Sequence, residues 1–122
     1  SVDKCGRYFL ELLGHERQEL LYQACLDGKG KLLSCKKLSQ GSADCTALSV
    51  RQVVENALLS GASAVVLAHN HPSGVALPSQ QDLLVTRQIQ EALSPLNIRL
   101  ADHVVVADSD YVSMAESGLL AR

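Results

Sequence analysis

Two histidines and an aspartate define the chemistry this chain can do. His69 and His71 stand two residues apart at the end of an unbroken apolar run, Ala64-Val65-Val66-Leu67-Ala68, and Asp82 follows shortly after. Side chains at i and i+2 of an extended segment project to the same side, so both imidazoles can reach one point in space. Two nitrogen donors and one carboxylate, with no fourth protein ligand close by, is the composition of a zinc site left open to water. Each part has a plainer reading when taken alone. Ser79-Gln80-Gln81-Asp82 is a helix-capping box, which would make Ser79 and Asp82 helix-start residues and nothing more. A single histidine at a strand end is most often a hydrogen-bonded surface group. The conjunction points to a metal: two same-face histidines leave the C-terminal end of an apolar strand, where open α/β sheets bind ligands, and a Pro-Gly loop returns the chain to a helix whose first turn carries a carboxylate.

These side chains need elements to hold them. The continuous apolar character of 63–68 predicts a central strand buried on both faces. Pro72, Gly74 and Pro78 mark the next stretch as an ordered loop, and a helix is expected from Ser79 to about Leu93, with Val85, Ile89, Ala92, Leu93 and Leu96 on its buried side and Pro95 ending it. Upstream, residues 2–13 read as an amphipathic helix with Cys5, Phe9, Leu12 and Leu13 on one stripe and Gly14 as its stop. Strands over 19–26 and 31–38, joined through Asp27-Gly28 and Gly30, form a hairpin. Its lysines (29, 31, 36 and 37) fit an exposed, solubilised edge better than a phosphate patch. Residues 41–48 read as a polar connection. Ser49-Val50-Arg51-Gln52 is a second capping box, opening a helix with Val50, Val53, Val54, Ala57 and Leu58 inward and Gly61 as its stop. A Val-rich strand over 98–107 turns through Asp108-Ser109-Asp110 into 111–114. Strands alternating with helices behind a leading hairpin make an α/β domain: a mixed sheet with helices on both faces.

The bulk properties narrow the function. The chain has 122 residues, a length expected of one domain, and 47% hydrophobic with 20% charged residues is ordinary for a globular protein. A formal net charge of −2 gives no global attraction to nucleic acid or anionic membrane. Phe9, Tyr8, Tyr22 and Tyr111 are its aromatics, poor material for stacking bases. Cys5, Cys25, Cys35 and Cys45 show neither a C-x-x-C pair nor zinc-ribbon spacing. A Cys25–Cys35 disulfide is compatible with the spacing, but buried reduced thiols are the preferred reading, which favours a cytoplasmic setting. The sequence is expected to carry no signal peptide and no membrane span, since its apolar runs are far too short.

The pattern His69-x-His71, seven residues, Ser79, two residues, Asp82 resembles the H-x-H-x7-S-x-x-D signature of JAMM (JAB/MPN) metalloproteases. The longer string His69-Asn70-His71-Pro72-Ser73-Gly74, with Pro78, Ser79 and Asp82, is similar to the bacterial RadC branch. So are the helix with Arg51 and Ala57 before it and Asp102-His103-Val104-Val105 after it. The resemblance runs over essentially the whole chain. It implies an α/β fold of cytidine deaminase-like, JAMM/MPN architecture, with residues 1–122 as a single RadC-like domain. RadC proteins usually carry a helix-hairpin-helix segment ahead of this domain; the chain, which opens on Ser1, is expected to be the C-terminal part of such a protein. The resemblance further implies zinc-dependent hydrolysis of peptide or isopeptide bonds in an unidentified protein or peptide substrate. His69, His71 and Asp82 would bind Zn2+, with water as the fourth ligand, and the Ser79 hydroxyl would steady the oxyanion. The family also uses an upstream glutamate as general base. Glu19 takes that place because it begins the periodic strand; Glu16, in the polar approach, is its rival because the motif leaves this spacing open.

Asp102 and His103 are neighbours on a strand and should point to opposite faces. One of them could orient a ligand histidine, or make a structural hydrogen bond remote from the metal; the sequence leaves both open. The resemblance also implies an alternative function, a non-proteolytic binding or scaffold role in DNA repair, although the charge balance supports only weak DNA contact through this domain. A metal-dependent nuclease ranks below it, since such sites commonly use two metals and a second carboxylate cluster is not visible. The HNH nuclease motif is dispersed rather than contiguous, and zinc deaminases need H-x-E followed by P-C-x-x-C, which is absent.

Overall fold

The apolar run that delivers the histidines is the middle of a sheet. In the computed structural model, which describes residues 2–38 and 45–120, the elements are α1 (Val2–Leu13), β1 (Leu21–Leu26), β2 (Leu32–Lys37), α2 (Cys45–Ser60), β3 (Ala64–Asn70), α3 (Gln80–Leu93), a 3-10 turn (Ser94–Leu96), β4 (Arg99–Ala107) and β5 (Asp110–Ser113). The strands form one five-stranded sheet in the order β2-β1-β3-β4-β5. It is mixed: β3 and β4 run parallel, the other pairs antiparallel. β3 is buried along its whole length, as an apolar strand covered on both faces must be.

Alternation along β3 divides the core. Val65 and Leu67 face α2 and α3, packing with Val53, Ala57, Ile89 and Leu93. Val66 and Ala68 face α1, packing with Phe9 and Leu13. Helices therefore cover both faces, as expected. The apolar stripes are narrower than the sequence suggests. Leu12 and Leu58 each sit about 100° round the helix from the buried Leu13 and Ala57, and are 37% and 57% exposed. Leu96 falls in the 3-10 turn beyond the helix and is also exposed. α1 approaches β5 closely at Gly6, where a Cβ would clash with the Tyr111 ring.

Two local expectations change. The helix preceding β3 begins at Cys45, so Ser49 lies inside it and its S-x-x-Q motif does not open it. Ala47 and Leu48 are strong helix formers, and nothing between Cys45 and Ser49 interrupts the turn. Of the expected polar connection, residues 41–44 lie outside the described residues and 45–48 are helix. The hairpin stands as expected, with β2 at the sheet edge and all four lysines exposed. Cys25 belongs to the α2/α3 side of the core, whereas Cys35 packs on the α1 side, and both are free thiols. Among the described residues, no helix is long and apolar enough to cross a membrane.

β4 carries an irregularity with consequences for the site. Val65 pairs with Leu100 but Val66 with Asp102, so Ala101 is an extra residue, a bulge. Leu100 packs with the α2/α3 side, yet Val104, an even number of residues on, packs with the α1 side. Strict alternation would put them on one face. The bulge reverses the parity and turns His103, opposite Leu67, toward α3.

Candidate metal centre

The histidines emerge where β3 ends. His69 is the last residue of β3 paired with β1, opposite Leu21, and the His71 amide bonds Val106 O at 2.7 Å just beyond the strand. The two Nε2 atoms are 2.9 Å apart. α3 supplies the carboxylate. Ser79 is its N-cap, with Asp82 N donating to Ser79 Oγ at 3.0 Å and Ser79 N donating to Asp82 Oδ2 at 2.8 Å, so the capping box read from the sequence forms. The same carboxylate lies 3.0 Å from His71 Nε2 through Oδ2 and 3.3 Å from His69 Nε2 through Oδ1. Glu19, exposed just ahead of β1, completes the group. One candidate ligand atom from each of Glu19, His69, His71 and Asp82 lies within 4.8 Å of the others. Glu16 is not in this cluster.

Hydrogen bonds behind the histidines dictate where their protons sit. The Thr86 hydroxyl donates to Asp82 O at 2.7 Å, so its oxygen is left to accept from His103 Nδ1 at 2.6 Å. His103 then presents a bare Nε2 to His69 Nδ1, 2.7 Å away, which must carry the hydrogen. Burial, followed by charge on His69, pushes the His103 pKa well below the usual histidine value, which keeps it neutral and able to accept. His71 Nδ1 faces the Val75 carbonyl at 3.1 Å, an acceptor only, so it too carries its hydrogen there. In the neutral rings both Nε2 atoms are thereby left as lone pairs.

Two lone pairs 2.9 Å apart beside a carboxylate repel unless something positive lies among them. The set could therefore hold a metal cation, with imidazole nitrogens and a carboxylate oxygen as its donors. Burial disfavours the Asp82 anion, but hydrogen bonding and positive charge at His69, when a proton takes the place of an ion, together with bonds from Ser79, outweigh that and hold its pKa well below the ordinary carboxylate range. A cavity of about 280 Å3 opens beside His71, between the Leu13–Arg17 turn, Pro72 and the Val106–Asp108 end of β4.

Three residues here were missed or left open by sequence reasoning. His103, not Asp102, lies behind the candidate ligand His69. Asp102 points to the α1 side, where it accepts from Ser113 Oγ and from the Ala115 amide. Thr86 gave no signal, since a threonine inside a helix that bonds its i−4 carbonyl is commonplace. Asn70 was only the spacer between two histidines, although a polar residue buried at the end of an apolar strand was itself a signal.

Comparison with known proteins agrees with this geometry. A family profile described as a RadC-like JAB domain matches residues 1–119. UPF0758 proteins are similar along most of the chain: that of Cellvibrio japonicus is 44% identical over 113 residues, covering 93% of this chain and 50% of that protein. The Pseudomonas fluorescens protein is 44% identical over 111 residues (91% and 50%), and the Alcanivorax borkumensis protein 43% over 118 (97% and 53%). The chain thus spans about half the length of the curated relatives it matches. On the profile, the relatives and a mixed sheet ending in a Glu/His/His/Asp cluster, the chain belongs to the RadC family and carries its JAB (JAMM/MPN) domain.

Proposed function

We propose that this domain is a zinc-dependent hydrolase of peptide or isopeptide bonds. The observation that carries the reading is the convergence of Glu19, His69, His71 and Asp82, drawn from three separate segments, on one point at the C-terminal edge of the sheet. His69, His71 and Asp82 would hold the ion, which when bound polarises a carbonyl and lowers the pKa of its water from ~15.7 toward ~7. Glu19, exposed at the rim, takes the proton of the attacking water and returns it to the departing amine. The Ser79 oxygen already accepts the Asp82 amide, so its own hydrogen remains for the negative charge that grows on the attacked carbonyl. The N-terminus of α3 favours that charge further. The cavity beside His71 offers room for a substrate chain on the α1 side of the ion.

Metal analysis of protein purified without added metal, followed by zinc titration, tests the foundation. About one equivalent of tightly held zinc is expected; no zinc, and none taken up on addition, refutes the reading. Glu19→Gln should retain the metal and lose turnover on a panel of peptide, isopeptide and nucleic-acid substrates. Loss in Glu16→Gln instead would move the base to that residue.

A further inference from the structure

Asn70 lies between the two candidate ligand histidines in sequence, yet its side chain turns to the opposite face and is 2% exposed. Its amide is committed to a single neighbouring segment. Oδ1 accepts the Leu20 amide at 2.6 Å, while Nδ2 donates to Gln18 O at 2.8 Å and to Glu16 O at 3.3 Å. The ladder between β1 and β3 ends with Leu21 opposite His69. Beyond that pair one long backbone bond remains, from the Asn70 amide to Leu20 O at 3.4 Å, and the Asn70 side chain carries the rest of the pairing onto the residues that flank Glu19 on both sides.

Packing alone does not call for an amide here. Val66 and Ala68, on the same face of β3, meet α1 as ordinary apolar residues. A buried amide carries a desolvation cost that only its hydrogen bonds offset. The partners also demand this side chain: one donor and two carbonyls need an acceptor and two N–H groups together, which aspartate and serine lack.

We propose that Asn70 is a positioning residue for Glu19, locking the segment 16–20 onto the strand that bears His69 and His71. Base and candidate ligand histidines then move as one unit. The inference rests on the reading of Glu19 as the general base of a metal hydrolase.

The test is a double-mutant cycle in the full chain, read by zinc affinity and by steady-state kinetics. Removing the nearby carboxylate in Glu19→Gln is expected to loosen zinc about tenfold. Asn70→Ala should do the same by displacing that carboxylate. The double variant should lose about tenfold, not the roughly hundredfold of independent effects. In Asn70→Ala alone, kcat falls on the order of 100-fold with KM little changed, and the acid limb of the pH–rate profile moves. Asn70→Asp, which keeps the acceptor for Leu20 but repels both carbonyls, gives the same pattern and serves if the alanine variant fails to fold. Fold-changes that multiply, or a parental kcat in both variants, overturn the proposal. A parent that binds no zinc defeats the proposed function separately. Amide exchange in the metal-free protein then reads the lock directly: faster exchange at Leu20 in Asn70→Ala sustains it, and unchanged exchange overturns it.

Discussion

Replacing His103 by phenylalanine should weaken metal binding without touching a ligand. His103 is 4% exposed, and its Nε2 is the acceptor that keeps the His69 hydrogen on Nδ1. Phenylalanine fills similar space and accepts no hydrogen bond. In the metal-free variant His69 can move its hydrogen to Nε2 and donate it to Asp82, 3.3 Å away. To bind an ion it must return that hydrogen to Nδ1, where it would be buried and unsatisfied. An unsatisfied buried donor costs about 1–3 kcal/mol, which is roughly 5- to 150-fold in affinity. Losing the partner behind a ligand histidine typically costs ~10–100-fold, an independent figure in the same range. The assay is competition for zinc against a chromophoric chelator, with the melting temperature of the metal-free protein as control. Because the metal-free state escapes by changing tautomer, the melting temperature should move far less than the affinity. A folded His103→Phe protein with parental zinc affinity would falsify the assignment of the His69 tautomer.

Thr86→Val deprives His103 Nδ1 of its acceptor, so His103 turns its hydrogen toward His69; zinc affinity should fall about tenfold, and no change would break the relay at its first link. Ser79→Ala removes both a helix cap and a donor to the developing oxyanion, so about 1 kcal/mol of stability and ~10²–10³ in kcat should go together, measured by denaturation and turnover. Stability lost without kcat would leave Ser79 as a cap only. The lowered pKa of Asp82 predicts an acid-sensitive fold: its contribution is complete above the unfolded carboxylate value of ~3.9 and is lost as pH falls below that toward the folded value. Denaturation curves of the metal-free protein taken at pH values down to about 2 should show this loss, and Asp82→Asn should flatten it; parallel curves for the two proteins would contradict the assignment.

Much of this was legible because the chemistry is packaged in short segments with strong local signals. The apolar run 64–68 announced a central strand, and Ser79 with Asp82 formed a capping box whose carboxylate also meets the histidines. Glu19 was placed by resemblance and by the start of the strand, and the geometry puts it in the cluster in preference to Glu16. What stayed hidden depends on contacts between distant residues. The bonds from His103 span 34 residues to His69 and 17 to Thr86, and no spacing rule joins them. The motif at Ser49 points to a later start for α2 than Cys45 because a capping motif inside a helix looks the same as one at its beginning. Asn70 needed the backbone of another segment before its amide had a meaning.

The extra residue in β4 bears on more than local geometry. Val104, Val105 and Val106 are all fully buried, so hydrophobicity would accept this strand in either of two phases. Chemistry would not. A shift by one residue would exchange the outlooks of Asp102 and His103, placing a second carboxylate behind the histidines and an imidazole beneath α1. The Asp102 carboxylate, held by Ser113 Oγ and by the amides of His103 and Ala115, fixes which phase is taken. The strand is thus phased by buried polar side chains, Asp102 on one face and His103 with its bonds to Thr86 and His69 on the other, rather than by its valines. A length change of one residue near Ala101 could leave the core packed and the fold recognisable while disconnecting the candidate metal centre from the side chains hydrogen-bonded behind it.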